Sequence, residues 1–468
     1  MRLPMMCLYS NIRFDNFLKV VKSVPKVVIS VCIALVYTTG ALHAQPVLTL
    51  EDAIAVALVN NYDILLSRND SAVAALDYTY RNAVFFPRLN ATAGTTWVKN
   101  NQKQEFDDGT GREGNVATNN LNASLALNWT LFDGLKMFAT RDKVEQYILL
   151  GELTIKNQVI NTVADVINTY YNIVGQKQQL KAIEEQMSIS QTRVELAQRK
   201  LDIGVGAKPD VLQSQVDLNA QRAAQLQQQT LIRQLKETLN QLLDPSPEGS
   251  GSNLSTDYDV SDEIPFNATL SLEEIQHGLE QANPVLQIAR KSIDIEYIAL
   301  EELKADRYPR LDFNATYNFA RVNNDIALNP FLPIFNRNRG FNYGFTVSVP
   351  ILNYRNTRRL IEQQELNIGF QRLLLDNQQS LLRLSVQNAF HDFELQQQAL
   401  ALEEENILLA RENVEIILET YRLGYATYLQ LREAQKSLED AYTRLIAARF
   451  NTKLAETELL RLKGELVR

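Results

Sequence analysis

Residues 159–201 read VINTVADVINTYYNIVGQKQQLKAIEEQMSISQTRVELAQRKL, and this stretch decides the fold. An apolar residue recurs at every seventh position along it, and no proline lies between Gly134 and Gly204. The recurring residues are Val159, Val166, Ile173, Leu180, Met187, Val194 and Leu201. Such a repeat predicts a long helix that packs against other helices as in a coiled coil. At 1.5 Å per residue, a helix from Gly134 to Gly204 would be about 100 Å long.

The same plan returns in the second half of the chain. A second apolar ladder consists of Val386, Phe393, Leu400, Ile407, Val414 and Tyr421. Asn61 recurs as Asn283, and the triplet Pro-Arg-Leu that begins at Pro87 recurs at Pro309. Matching order and spacing predict an internal duplication of a helix–strand–strand–helix–helix unit. We predict a first repeat at 45–244, a linker rich in Pro, Ser and Gly at 245–268, and a second repeat at 269–468.

The first 44 residues are typical of a secretory signal peptide. Lys19, Lys22 and Lys26 precede an apolar run from Val27 to Tyr37, and Ala44 is a small residue suited to cleavage. A membrane anchor is the alternative, but the run is short for a hydrocarbon core of ~30 Å. We therefore predict a cleaved signal at 1–44.

Composition excludes several classes of function. Both cysteines, Cys7 and Cys32, lie in the leader, so the mature chain would have no disulfide or thiolate metal site. The net charge of −8 includes no basic block, which makes nucleic acid a poor partner. His277 and His391 lie on separate predicted helices without metal-ligand spacing. With no phosphate-binding loop and no carboxylate pair, we predict no enzyme activity and no cofactor.

Four segments alternate apolar residues with Asn, Ser, Thr or Gly, which is the period of a β-strand. They lie at about 88–98, 120–131, 310–321 and 341–352, and long helices are predicted at about 134–203 and 354–423. Loops are expected at Asn100 to Asn120 and Val322 to Gly340, as extracellular decoration. Strands of this pattern are typical of an outer-membrane β-barrel. A soluble sheet is the alternative, but the second face lacks the Lys and Glu of a solvated sheet.

A sheet of four strands leaves two edges whose N–H and C=O groups would be unpaired in lipid. Other copies of the chain must therefore close the barrel. The long helices are too polar to cross a bilayer, so they would project into the periplasm. The sequence predicts a homo-oligomeric conduit with a membrane end and a periplasmic end.

The chain resembles the TolC-type outer membrane efflux family (the outer membrane factors). The resemblance rests on the duplicated order of elements, the segment Phe86 to Leu89 before the first strand, and the turn segments Ile203 to Leu212 and Tyr421 to Leu431. The resemblance implies a fold that is mainly α with a membrane β-barrel. As a homotrimer, it would form a 12-stranded β-barrel on a long α-helical periplasmic barrel.

The same resemblance implies a passive exit duct in the cell outer membrane. Its partners would be outer membrane lipid, a periplasmic adaptor (membrane fusion) protein and an inner-membrane pump of the RND, ABC or MFS type. Drugs or other exported substrates would pass through it. Type I protein secretion and metal efflux remain open for this fold. A periplasmic coiled-coil scaffold without a pore is a further alternative.

The resemblance also indicates functional residues at the two helix–turn–helix tips. The adaptor-docking residues would be Ile203, Gly204, Val205, Leu423, Gly424 and Tyr425. The periplasmic aperture would be lined by Gln430, Glu433 and Asp210, with Glu433 setting a preference for cations. Because Thr427 and Gln430 have capping-box spacing, Gln430 has a helix-capping role as its alternative.

Family members often hold the mouth shut with an arginine at the position of Ala426, which bonds to the first turn. Asp210 is present opposite, but Ala426 cannot form that bond. Arg422, Lys208 or Arg432 would then be the substitutes.

Overall fold

In a computed structural model, the described residues are 47–107, 109–244, 258–267, 269–325, 333–353 and 355–466. The large unit comprises Leu48–Thr256 and Val260–Arg468, and of the small unit only Val47, Tyr258 and Asp259 are described. The predicted signal peptide at 1–44 and most of the predicted linker at 245–268 lie outside the described residues.

The described elements follow the same order twice, which confirms the predicted duplication. In the first repeat they are α1 (Leu50–Asn60), α2 (Tyr62–Thr79), a 3-10 turn (Arg81–Phe85), β1 (Arg88–Glu105), β2 (Gly111–Phe132), α3 (Lys136–Asp202) and α4 (Lys208–Leu243). In the second they are α5 (Leu272–Gln276), α6 (Leu279–Ala282), α7 (Pro284–Ala305), β3 (Arg310–Asn324), β4 (Phe335–Ser348), α8 (Asn356–Arg422) and α9 (Tyr428–Lys463). Val47–Leu48 and Asp259–Val260 are two-residue strands. Helices α3 and α8 have 67 residues each, and α4 and α9 have 36 each.

The four long strands form one antiparallel sheet in the order β1-β2-β3-β4. Its register sets apolar residues opposite apolar ones: Leu125 lies between Ala91 and Tyr317. On the other face, the Thr92 and Ser124 hydroxyls are 2.8 Å apart. Because register fixes which residues share a face, the sheet has one apolar and one polar face. Among the described residues, β1 and β4 each keep one edge without a neighbouring strand.

The predicted long loops are wrong, because the strands continue into them. β1 runs to Glu105 and β2 begins at Gly111, so the turn between them is short. β3 runs to Asn324 and β4 begins at Phe335, and residues 326–332 lie outside the described part. The sequence signal failed there because polar residues occupy both faces, which removes the alternation of hydrophobicity.

The helical region at the start of the first repeat is broken at Asn61, between α1 and α2. The Asn61 Oδ1 accepts from the N–H groups of Asp63 and Ile64 at 3.0 and 3.3 Å, and so caps α2. Its Nδ2 donates to the carbonyl of Leu242 at 2.9 Å, in the last turn of α4. One buried amide thus satisfies unpaired backbone groups of two helix ends.

Asn283 repeats this arrangement in the second half. Its Oδ1 accepts from the N–H of Leu286 at 3.2 Å, and its Nδ2 donates to the Leu462 carbonyl at 2.9 Å. The match between Asn61 and Asn283 in the sequence is therefore a repeated helix clamp.

The sheet joins the helices at a tight contact. Gly134 has a φ of 73°, and a Cβ there would lie 2.4 Å from the carbonyl oxygen of Ala305 at the end of α7. Only glycine fits both the left-handed backbone and this approach. The turn from β2 into α3 is thereby fixed against the second repeat.

The long helices are too polar to be membrane spans. None of those in the described ranges has an apolar stretch long enough to cross a bilayer. Their apolar residues instead line the seams between helices. The whole second ladder is buried, from Val386 to Tyr421. Of the first ladder, Val166 and Ile173 are fully buried, and the residues nearer Gly204 are half-buried.

Candidate functional site

Both long helical hairpins end in a turn of the same construction. Gly204 has a φ of 79° and Gly424 a φ of 84°, which is the left-handed region that favours glycine. In each turn, the two N–H groups after the glycine donate to one carbonyl of the last helical turn. These bonds run from Val205 and Gly206 to Lys200 at 2.9 and 2.8 Å, and from Tyr425 and Ala426 to Thr420 at 2.9 and 3.2 Å.

The two turns lie side by side. The Lys200 ammonium donates to the Tyr421 carbonyl at 2.7 Å and lies 3.7 Å from the centre of the Tyr421 ring. Burial raises the pKa of the Tyr421 hydroxyl, and the nearby Asp210 carboxylate adds to this effect. Asp210, in the first turn of α4, therefore lies near Tyr421 of the second hairpin.

The predicted docking residues expose apolar side chains at these turns. Ile203, Val205, Leu423 and Tyr425 are 74%, 73%, 64% and 86% exposed. Four large apolar groups at one end of two adjacent hairpins form an exposed apolar patch, which we call the tip patch. Patches of this kind mark surfaces that bind another protein.

Gln430 makes the capping box that its spacing with Thr427 indicates. The Thr427 N–H donates to the Gln430 Oε1 at 2.8 Å, and the Gln430 N–H donates to the Thr427 hydroxyl at 3.3 Å. The capping alternative is confirmed, so this side chain is held at the start of α9.

The other two predicted aperture residues, Glu433 and Asp210, do not cap a helix. Glu433 is exposed on α9, and Asp210 is half-buried on α4. Neither carboxylate forms an ion pair within the part of the chain that the structure describes. Both are therefore available to face another copy or a passing ion.

None of the three substitutes for the missing arginine bonds to Asp210 among the described contacts. Arg422 pairs with Glu419 on its own helix at 3.2 Å. The guanidinium of Arg432 lies 3.6 Å from Asp217 instead. Within one copy, buried side chains on α3, α4 and α9 also connect the two hairpins.

That connection is a buried network around Arg193, which the sequence prediction missed. Arg193 on α3 is 2% exposed and donates to the Asp217 Oδ2 on α4 at 2.9 Å and to the Gln435 Oε1 on α9 at 2.6 Å. The Tyr428 hydroxyl also donates to the Asp217 Oδ2, at 2.8 Å. One guanidinium thus joins the first hairpin to the return helix of the second. We call these four residues the Arg193 network.

Opposing influences act on the pKa of Asp217. Partial burial acts to raise it, but hydrogen bonds from Gln213 and Tyr428 and the charges of Arg193 and Arg432 outweigh burial. The pKa of Asp217 is therefore lowered, and the carboxylate stays charged in neutral solution.

A signal for this network was present in the sequence. Gln186 and Arg193 are separated by seven residues, and each directly precedes a position of the first ladder. A polar residue at both positions indicates a polar seam beside the apolar one. The corresponding positions of the second repeat carry Asn413 in place of Arg193 and Ser437 in place of Asp217. The charged pair therefore does not recur in the second repeat, and the duplication could not reveal it.

His277 and His391 do not form a site. His277 is exposed, and the His391 Nδ1 lies 3.6 Å from Glu394 on the same helix. No group of metal-ligating side chains occurs among the described residues.

Helix α8 carries an exposed apolar ladder besides its buried one. Leu395, Leu402, Leu409 and Ile416 are all more than half exposed. Each follows a buried ladder residue by two positions, which places it roughly 200° around the helix. The two ladders therefore lie on opposite sides of α8, one packed within the chain and one open.

The apolar face of the sheet is open in the same way. Trp97, Phe341, Tyr343, Phe345 and Val347 are each more than 60% exposed. Such a face, two free strand edges and an open helical ladder are three surfaces that water solvates poorly.

Comparison with known proteins places these features in a family. The sequence model of the outer membrane efflux protein family matches residues 53–244 and 277–465, one match in each repeat. No curated protein sequence matches the chain significantly.

Solved structures of similar fold are outer-membrane proteins. The outer-membrane channel OprN has a TM-score of 0.70 at 17% identity, covering 89% of this chain and 90% of that one. VceC from Vibrio cholerae has a TM-score of 0.69 at 15% identity, covering 89% and 96%. The CmeC channel of Campylobacter jejuni has a TM-score of 0.72 at 13% identity, covering 89% and 85%. At these identities, the likeness shows a shared fold.

Proposed function

The chain belongs to the outer membrane efflux protein family, and from that premise we propose that it is the exit duct of a tripartite efflux system. It is a protein of the cell outer membrane, with its helical barrel in the periplasm. In the proposed role it passively conducts drugs or other exported substrates that a pump and an adaptor deliver. The pump supplies the energy, and the duct supplies the path.

The observation that carries this proposal is the sheet with one apolar face and two open edges. In hydrocarbon, an unpaired backbone N–H or C=O group costs several kcal/mol, so a lone four-stranded sheet is excluded there. Copies of the chain that pair β4 of one with β1 of the next remove both edges. The polar face then lines a lumen, and the aromatic face meets lipid.

We propose a homotrimer, with twelve strands and twelve helical staves. The exposed α8 ladder supports an assembly of copies, because a second helix would cover Leu395, Leu402, Leu409 and Ile416 as α9 covers the buried ladder. The number three comes from the family resemblance.

Membrane fractionation tests the duct. The mature protein should partition with outer membranes and run as an oligomer in mild detergent. A monomer that stays dissolved without detergent would overturn the proposal.

We propose that the tip patch docks a periplasmic adaptor protein. A photocrosslinking residue at Val205 or Tyr425 should capture an adaptor in cells, since both side chains point into solvent. The same residue at Glu405, which is exposed on α8 about 25 Å from the tip, serves as the control. Equal capture from both places would contradict tip docking.

Glu433 and Asp210 are proposed to line the periplasmic aperture, with Gln430 beside them as a helix cap. A ring of Glu433 carboxylates would favour cations in the closed channel. Single-channel recordings of Glu433→Ala should therefore show reduced cation preference, whereas Glu405→Ala should leave it unchanged. Unchanged selectivity in Glu433→Ala would remove Glu433 from the aperture.

We propose the processing and domain plan given by the sequence: a signal peptide at 1–44, repeats at 45–244 and 269–468, and a linker at 245–268. Intact mass of the exported protein gives the cleavage site directly. A mass that includes residues 1–44 would contradict the signal peptide.

A further inference from the structure

Three arginines lie at the outer end of β3 and β4. Both strands join helices at their other ends, Arg310 and Ser348. Because the helices lie in the periplasm, the hairpin end of the strands points out of the cell. Arg321, Arg337 and Arg339 lie toward this outer end.

The three arginines share the apolar face of the sheet. Arg321 follows Tyr317 and Phe319 at intervals of two, so it is on their face. The register sets Arg337 directly opposite Arg321, and Arg339 directly opposite Phe319. The face that carries the aromatic band therefore ends in an arginine cluster.

The height of the cluster matches the boundary of a membrane. In a tilted barrel strand, each residue rises about 2.5 Å along the membrane normal. From Leu311 to Phe319 the apolar face is then about 20 Å tall, and Arg321 lies about 25 Å from Leu311. An apolar band of a membrane barrel is about 25 Å tall, so the cluster is at headgroup level.

Among the described residues, no acid of the same chain forms an ion pair with the cluster. None of the three forms an ion pair in the described residues, and the connection 325–334 contains one acid, Asp325. The guanidinium groups of Arg321 and Arg339 instead lie 5.6 and 6.0 Å from the ring centres of Phe335 and Phe319. Like charges directly opposite across strands destabilise a sheet, so Arg321 and Arg337 call for a shared anion.

We propose that Arg321, Arg337 and Arg339 bind the phosphate groups of a phosphorylated glycolipid of the lipid A type in the outer leaflet. A guanidinium binds phosphate through two parallel hydrogen bonds, and a cluster of such groups at a membrane surface recruits anionic headgroups. The aromatic band below would contact the acyl chains. This inference rests on the proposed barrel, because it needs the aromatic face to lie in lipid.

The competing anion is a carboxylate of the neighbouring copy. When β4 pairs with β1 of the next chain, Glu105 on β1 is the acid nearest the outer end of the same face. Within its own chain Glu105 lies 3.2 Å from Lys103. A test must therefore separate lipid binding from a contact between copies.

The test is native mass spectrometry of the detergent-purified oligomer with added diphosphoryl lipid A. The double variant R321Q/R337Q should lose at least tenfold in lipid A affinity, since two charge-assisted contacts are removed. R199Q/R422Q, which removes the same charge at the helical tips, should bind as the unchanged protein does. Fully dephosphorylated lipid A should bind the unchanged protein as weakly as diphosphoryl lipid A binds the double variant.

Two further arms keep the outcome clear. R339K keeps the positive charge but loses the two parallel N–H groups, so its lipid A affinity should lie between those of the unchanged protein and of R321Q/R337Q. Inorganic phosphate at millimolar concentration should compete only weakly because it lacks acyl chains. Equal lipid A binding by R321Q/R337Q and by the unchanged protein overturns the inference. Loss of the oligomer in both R321Q/R337Q and E105Q, with lipid binding retained per chain, also overturns it. A double variant that still fractionates as an outer-membrane oligomer shows that the duct stands independently of this result.

Discussion

The two long hairpins share one plan but differ in what fills their seams. Between α8 and α9, the seam is apolar, and Leu400, Val414 and Leu438 belong to one buried cluster along it. Toward the tip of α3, the buried residues include the polar side chains Gln186, Ser190 and Arg193. The two long helices therefore differ near their tips, where α8 keeps its apolar ladder buried and α3 buries a charge network.

The two kinds of seam should respond differently to a change in conditions. The stability of an apolar seam does not depend on protonation, because it comes from apolar area removed from water. A buried charge network needs every partner in place, and removing one leaves the others buried and unpaired. We infer that α8 and α9 form the stable pair, and that the contact of α3 with α9 near the tip is the adjustable one.

The largest expected contrast is between Leu400→Ala and Leu180→Ala, which lie at matching ladder positions. Leu400 is fully buried, so its loss should reduce the free energy of unfolding by about 3–4 kcal/mol. Leu180 is half-buried, and its loss should reduce it by about 1–2 kcal/mol. Denaturant unfolding of the purified oligomer measures both values. Equal losses would show that a neighbouring copy covers Leu180, and the contrast between the seams would fail.

Removal of the Arg193 guanidinium should cause the next-largest loss of stability. Arg193→Met keeps the apolar stem but leaves Asp217 and Gln435 without their partner, which should cost about 2–3 kcal/mol. The matched control is Asn413→Met, at the corresponding exposed position of α8, where little change is expected. Thermal unfolding compares the two variants. If Arg193→Met were as stable as its control, the network would not be what joins the hairpins.

The two helix clamps, Asn61 and Asn283, should contribute similar amounts to stability in the two repeats. Asn61→Ala and Asn283→Ala each remove an N-cap and a bond to a helix end, so each should cost about 1–2 kcal/mol. Asn61→Asp and Asn283→Asp keep the capping oxygen, and each should recover part of the loss. A large difference between the two alanine variants would mean that the repeats are not equivalent at their helix joints.

The sequence predicted the elements best where one side of each is apolar. The long helices and the membrane-spanning parts of the strands follow periods of seven and two, and both reflect burial on one side. The strand extensions beyond Lys99 and Arg321 escaped prediction because their pairing depends on backbone hydrogen bonds between polar residues. The break at Asn61 escaped because an asparagine between two apolar helical stretches does not interrupt the pattern.

The candidate site was predictable in position but not in chemistry. Gly204 and Gly424 fix the two tips, since only a left-handed turn ends such helices there. Which side chains meet across three helices depends on the relative rotation of those helices, and the Arg193 network joins residues of both repeats. The role of Gln430 as a cap followed from local spacing, because the partner is three residues away.

The smallest effect concerns acid, and it should have opposite signs in the two hairpins. The lowered pKa of Asp217 means that its stabilisation is complete above the pKa of an unfolded aspartate and is lost as pH falls below it. Burial raises the pKa of Glu439 on α9, with Asp440 adding to the effect, so its charged form weakens the fold until acid protonates it. Asp217→Asn should therefore remove an acid-induced loss, whereas Glu439→Gln should remove an acid-induced gain. Below about pH 4, melting temperatures should therefore fall less steeply for Asp217→Asn than for the unchanged protein. Between pH 7 and about pH 4, they should fall more steeply for Glu439→Gln. Parallel curves for all three proteins would show that protonation of Asp217 and Glu439 does not affect stability. The charge of Asp217 would then not be what stabilises the contact between α3 and α9.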